Sequence, residues 1–249
     1  MRYKFLTLLL TIMLTVSMNI TTLAEDKEYK ISAINLIVSV KEDLNVLTRG
    51  VSESHPALEI LDTDAVTMQN SFIQNNIYLD VFPDDLSYEI LITSVPLADK
   101  ENAGFDTLED AALQEYMERL NEEFAASETT ELLSMDLYEN DVTKYIHTST
   151  HTTMEVSTET VSVYTERYYT VMNGFNYYFT LQANDMEIDS GLSSILTAMV
   201  NSAQYTEVKS SLSESGLFNE MYEMFVGFGL TVLILGTILF MITRKPKKR

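Results

Sequence analysis

The chain has 249 residues, a formal net charge of −21, and neither cysteine nor tryptophan. The missing thiol excludes disulfides, thiolate metal sites, cysteine nucleophiles and a lipid-modified N-terminal cysteine. Such acidity repels nucleic acid and anionic lipid headgroups.

Residues 1–24 begin with Arg2 and Lys4, continue as the apolar run Phe5–Val16 and end on Ala24. A basic start, an apolar run and a small residue are the signature of a secretory signal peptide. The run is short for a bilayer span, which favours cleavage after Ala24 over an uncleaved anchor.

The remaining chain alternates strand and helix patterns. Ile34, Leu36, Val38 and Val40 alternate with less apolar neighbours, a half-buried strand, and Leu44–Thr48 reads as a second strand after Glu42-Asp43. Gly50–Pro56 is a loop. Leu61, Ala65, Met68 and Phe72 share one face of a helix over Thr63–Asn75, with Asp62 or Thr63 as its cap. Ile77–Phe82 and Tyr88–Val95 form a hairpin across Pro83-Asp84-Asp85. A second helix runs over Thr107–Ala125, with Thr107 and Asp110 as a capping pair and Leu113, Met117, Leu120 and Phe124 as its stripe.

Leu132–Leu181 is rich in β-formers. Asn173-Gly174 between two aromatic runs specifies a two-residue type I′ hairpin. Its register pairs Met172 with Phe175, Thr170 with Tyr177 and Tyr168 with Phe179, a face suited to a sheet core. A last helix, capped by Ser190, carries Leu192, Ile195, Leu196, Met199, Val200 and Ala203 on one side and covers that face.

Residues 207–223 form a polar stalk. Met224–Ile242 then gives 19 residues without a charge, about 28 Å as a helix and close to a bilayer core. The tail, 243–249, carries Arg244, Lys245, Lys247, Lys248 and Arg249, a basic flank that stays on the cytoplasmic side. Gly229 and Gly236 share a face of the span, and no Leu-Pro-x-Thr-Gly precedes it, so the anchor is retained. The reading is a single-pass protein of the cell membrane, with residues 25–206 as one extracytoplasmic domain. Between the two ends, nine basic residues meet all 37 acidic ones, a charge of −28.

The order ββ-α-ββ-α-ββββ-α predicts an α+β domain, a mostly antiparallel sheet with about three helices packed on it. Tyr-x-Val-x-Asn-Gly-x-x-Tyr-x-Phe-Thr-Leu at 169–181, leading into a helix that ends at Gln204-Tyr205, resembles the C-terminal half of PsbP-like α/β/α sandwich domains of bacterial secreted proteins. Asn76–Asp80 and Glu89–Thr93 resemble a pattern of Gram-positive surface proteins. The resemblance implies an accessory or assembly role and supplies no site residues.

No constellation points to chemistry. His147 and His151 have the spacing of two ligands on a helix. On a strand their rings stand roughly 13 Å apart, so a shared metal needs a bend. His55, before Pro56, is a loop residue. Asn184–Gly191 has the alternating oxygens of a calcium loop, but Ser190 occupies the glycine position and Leu196 that of the bidentate glutamate. No Gly-x-Ser-x-Gly, phosphate loop or His-Glu-x-x-His is present. No catalytic, cofactor-binding or metal-binding residue is therefore assigned, and no cofactor. The expected partners are the bilayer, through Met224–Ile242, and an envelope or membrane protein. The expected function is a non-enzymatic accessory or interaction module, with a cation- or ligand-sensing subunit as the alternative.

Overall fold

The structure is a computed structural model and describes residues 26–97, 104–156 and 159–206. The signal segment, the stalk, Met224–Ile242 and the basic tail lie outside the described residues. Among the described residues no helix is long and apolar enough to cross a membrane.

Two antiparallel sheets form where one was expected. The smaller has the order β1-β2-β10, from β1 (Asp26–Ile31), β2 (Leu36–Lys41) and β10 (Gln204–Tyr205). The larger has the order β3-β4-β5-β9-β8-β7-β6. Its strands are β3 (Asn45–Thr48), β4 (Ile77–Phe82), β5 (Tyr88–Pro96), β6 (Thr130–Glu139), β7 (Lys144–Val156), β8 (Glu159–Met172) and β9 (Phe175–Asn184). β2 and β3 follow each other in sequence but enter different sheets. Strand β1 carries no apolar alternation, so the sequence pattern misses it. The strand expected from Ile34 begins two residues later, because Ser32–Ile34 forms a 3₁₀ turn closed by Asn35 at φ 53°.

Three long helices appear near their expected positions: α2 (Ala65–Gln74), α3 (Asp110–Ala126) and α4 (Ser190–Ser202), preceded by the single turn α1 (Ala57–Ile60). The caps differ from the sequence reading. Asp64, rather than Asp62 or Thr63, accepts the Thr67 N–H at 2.9 Å. Asp189, rather than Ser190, accepts the Leu192 N–H at 2.9 Å. In both cases the carboxylate sits three residues before the donor it satisfies, the geometry of an N-cap. Thr107 caps nothing: its hydroxyl donates to the Gly104 carbonyl and α3 starts three residues later.

The large sheet is the middle of three layers. On one face lie α4 and the small sheet, packing Leu196, Met199, Val200, Leu36 and Val38 against Tyr145, Tyr168, Tyr177 and Phe179. On the other, α3 buries Leu113, Tyr116 and Leu120 against Ile146, Tyr169, Val171 and Tyr178. Helices α1 and α2 bury Leu58, Met68 and Phe72 beside them against Leu47, Phe82 and Leu91. The Asn173-Gly174 turn has φ 53° and 75°, as type I′ requires. Its pairs are Met172–Phe175, Thr170–Tyr177 and Tyr168–Phe179, the expected register.

Candidate functional site

The face of β6, β7 and β8 that α4 leaves partly open carries most of the polar chemistry. The pleat places alternate residues there, and the register aligns Asp136 with His147 and Tyr168, and Glu131 with His151 and Tyr164. Both predicted histidines therefore sit on β7, separated along the strand as expected, and each builds its own cluster.

His147 is clamped. Its Nε2 lies 2.8 Å from Glu166 Oε1 and its Nδ1 lies 3.1 Å from Asp136 Oδ2. The ring stacks on Tyr168 with centroids 4.3 Å apart. The Ser193 hydroxyl of α4 donates to the same Glu166 oxygen at 2.8 Å. Burial opposes the imidazolium, but the hydrogen bonds and charges of Glu166 and Asp136 outweigh it, so the His147 pKa is raised. The two carboxylates occupy opposite ring nitrogens and do not converge on one point. Among the described residues no group of three His, Asp or Glu side chains could hold a metal ion.

His151 stacks on Tyr164, centroids 4.4 Å apart. Its Nε2 is 2.6 Å from Ser162 Oγ, and its Nδ1 is 4.0 Å from Glu131 Oε2. Serine, histidine and carboxylate in that order resemble a nucleophile, base and orienting acid. The geometry stops short of that. The Glu131 contact is beyond hydrogen-bond reach and its side chain is 71% exposed. The Ser162 N–H donates to Asp185 Oδ1 at 3.3 Å and its neighbours lie in the sheet ladder, so they do not converge above its hydroxyl to hold an oxyanion.

A cleft of about 560 Å³ opens beside His151, between the end of α3 and the start of β6, lined among others by Phe124, Ser127, Glu128, Glu131 and Thr153. A smaller hollow of about 280 Å³ contains His55. The His55 Nδ1 accepts the Ala57 N–H at 3.3 Å, which makes it part of the start of α1. Asn184–Gly191 serves the α4 cap through Asp189 and a turn through Asp185, at φ 53°. The Glu166–Ser193 link and the His–Tyr stacks were not anticipated; only the β7–β8 register, fixed through contacts distant in sequence, reveals them.

No family model matches the chain, and no curated protein matches it. Among solved structures, the solution structure of cyanobacterial PsbP (CyanoP) from Synechocystis sp. PCC 6803 is 11% identical, with a TM-score of 0.41 over 73% of this chain and 93% of that one. A crystal structure from Bacteroides thetaiotaomicron VPI-5482 is 10% identical, with a TM-score of 0.41 over 89% of this chain and 72% of that one. Superpositions this loose carry no argument about function.

Proposed function

We propose that the chain is a non-enzymatic accessory module of the cell envelope, held in the membrane by Met224–Ile242, which binds an envelope or membrane protein through the open face of β6–β8. The observation that carries this reading is how that face uses its polar groups. Asp136, His147, Glu166 and Ser193 are bonded to one another, and Ser162 to His151. Groups spent on mutual contacts hold a surface in shape and leave little free for chemistry. At the rim Glu128 and Glu131 are exposed carboxylates in a chain of net charge −21. Charge complementarity then favours a partner with a basic surface.

Crosslinking in intact cells with the full chain tests this. Wild type should retain a specific membrane or envelope protein, and E128K/E131K should recover it at least tenfold less. Equal recovery by both, or no such protein with either, counts against the reading. The absence of native cysteine allows a separate test of topology. A thiol placed by Glu28→Cys should react with an impermeant reagent on whole cells, and one placed by Lys247→Cys should not. The opposite pattern removes the proposed orientation.

A further inference from the structure

The other face of the same strands holds a guanidinium with no counter-ion among the described residues. Arg167 is 5% exposed and lies on the side of the sheet that α3 covers. The register surrounds it with small polar side chains. Thr148, Arg167 and Thr180 stand in one row across β7, β8 and β9, and Thr150, Thr165 and Gln182 stand in the next. Neighbours within a row are about 4.8 Å apart, and the rows are separated by roughly 6.6 Å. All six residues are buried. The strip lies between the apolar cluster under α3 and the one under α1 and α2.

The hydrogen bonding there is unbalanced toward donors. Arg167 Nε donates to Thr180 Oγ1 at 3.1 Å, and its guanidinium lies 5.7 Å from the centre of the Tyr178 ring. No carboxylate among the described residues pairs with it. Gln182 Nε2 and Thr165 Oγ1 are buried and have no hydrogen-bond partner among the described residues. The same-face acids are Glu89, opposite Gln182 on β5 and about 12 Å from Arg167 along the sheet, and Asp80, three strands away and about 14 Å. Burial, then the charge of the adjacent Glu89 and its hydrogen bond, push the Asp80 carboxyl well above the usual carboxylate range. Desolvation likewise pulls the Arg167 pKa down to about 10. A ring face at the limit of cation–π range recovers only part of what burying an unpaired cation costs. The chain has 37 acidic residues, and no described one makes an ion pair with this guanidinium.

We infer that Arg167 is the centre of an enclosed binding site for a small oxyanion, a carboxylate or a phosphate group, with Gln182 Nε2 and the Thr165 hydroxyl as its further donors. Arginine presents its nitrogens as a fork that matches a carboxylate or phosphate edge, and such charge-assisted bonds strengthen when water is excluded. This goes beyond the partner-binding reading and uses the opposite face of the sheet. It would give the module a ligand to sense.

The test is thermal melting and calorimetry of the full chain in mild detergent, titrated with sodium acetate and with sodium phosphate against sodium chloride at matched ionic strength. Wild type should show a saturable rise in melting temperature with at least one anion, and which one identifies the ligand class. R167M should weaken that binding by about tenfold or more. Because R167M could fail to fold, Q182L and T165V serve as milder variants that keep the guanidinium, and each should weaken binding severalfold. No saturable shift with either anion overturns the inference. So does an anion effect that Q182L and T165V leave unchanged. The E128K/E131K variant should bind the anion like wild type, so failure of the partner reading and failure of this one are separable.

Discussion

Replacing His147 by glutamine tests whether the clamp on the open face holds β6, β7, β8 and α4 together. The imidazolium bridges Glu166, whose side chain is 5% exposed, and Asp136, whose side chain is 59% exposed. A hydrogen bond to a charged group contributes about 1.5–3 kcal/mol when shielded, and the exposed Asp136 contact adds about 0–1 kcal/mol. Glutamine keeps one donor but no charge, so the expected loss is about 2 kcal/mol. For a domain of this size that lowers the melting temperature by about 4–8 °C. The pH dependence fixes the cause. The folded His147 pKa is raised above its ordinary value. Its stabilisation is therefore complete below the unfolded pKa, about 6.5, and is lost as pH rises through the higher folded value. Near-ultraviolet circular dichroism melts of the full chain in detergent, from about pH 6 to about pH 9, should show the gap between wild type and H147Q shrinking as pH increases. A gap that is constant, or that widens with pH, would refute a charged clamp.

The other predictions are narrower. Asp189→Ala should cost about 1 kcal/mol in urea unfolding and Ser190→Ala much less, since Asp189 holds the cap. Gly174→Ala places a Cβ at φ 75° and should destabilise the hairpin by about 1–2 kcal/mol. Tyr177→Phe removes the 2.6 Å bond from the phenol to the Ile34 carbonyl, costing about 1 kcal/mol; hydrogen exchange should speed up in β2 before it does in β8. Burial pushes the phenols of Tyr145 and Tyr168 up to about 12. Alkaline titration at the tyrosinate band should therefore leave both protonated at a pH where exposed tyrosines have already ionised.

What the sequence revealed, and what it concealed, follow from the range of the interactions. The Asn173-Gly174 turn imposes its register locally, so every cross-strand pair up to Tyr168–Phe179 can be derived from the chain. The stripes of α2 and α4 are equally local, and Met68, Phe72, Leu196, Met199 and Val200 are buried as their spacing predicts. Strand β1 escapes because, among the described residues, it is paired only with β2 and owes its conformation to that neighbour. The division into two sheets escapes for a similar reason. β2 is closed by β10, some 165 residues later, where Gln204 meets Ile37. The Asp136–His147–Glu166 cluster draws on three strands and α4, so neither its acids nor its serine stand out among so many similar residues.

Glu166 and Arg167 show why the two faces must be considered separately. As neighbours in the sequence they look like a ready ion pair, but on a strand successive side chains point to opposite faces. The pleat sends Glu166 to His147 and Ser193, and sends Arg167 to Thr180 and Tyr178. The carboxylate thus finds a cation and a hydroxyl donor within its own layer, while the guanidinium finds one hydroxyl and an aromatic ring. An acid at position 148, 165 or 180 would lie on Arg167's face and within reach of it, and in this acidic chain each of the three is threonine. Threonine at those positions keeps the strip small and polar without neutralising the charge. That combination is what an anion supplied from outside the chain would require, and a purely structural arginine would be better served by any one of those substitutions. Thr180→Glu therefore separates the alternatives. If Arg167 is structural, the new pair should raise stability and change nothing else. If it is a binding group, the internal carboxylate should occupy the site and abolish the response to added acetate or phosphate.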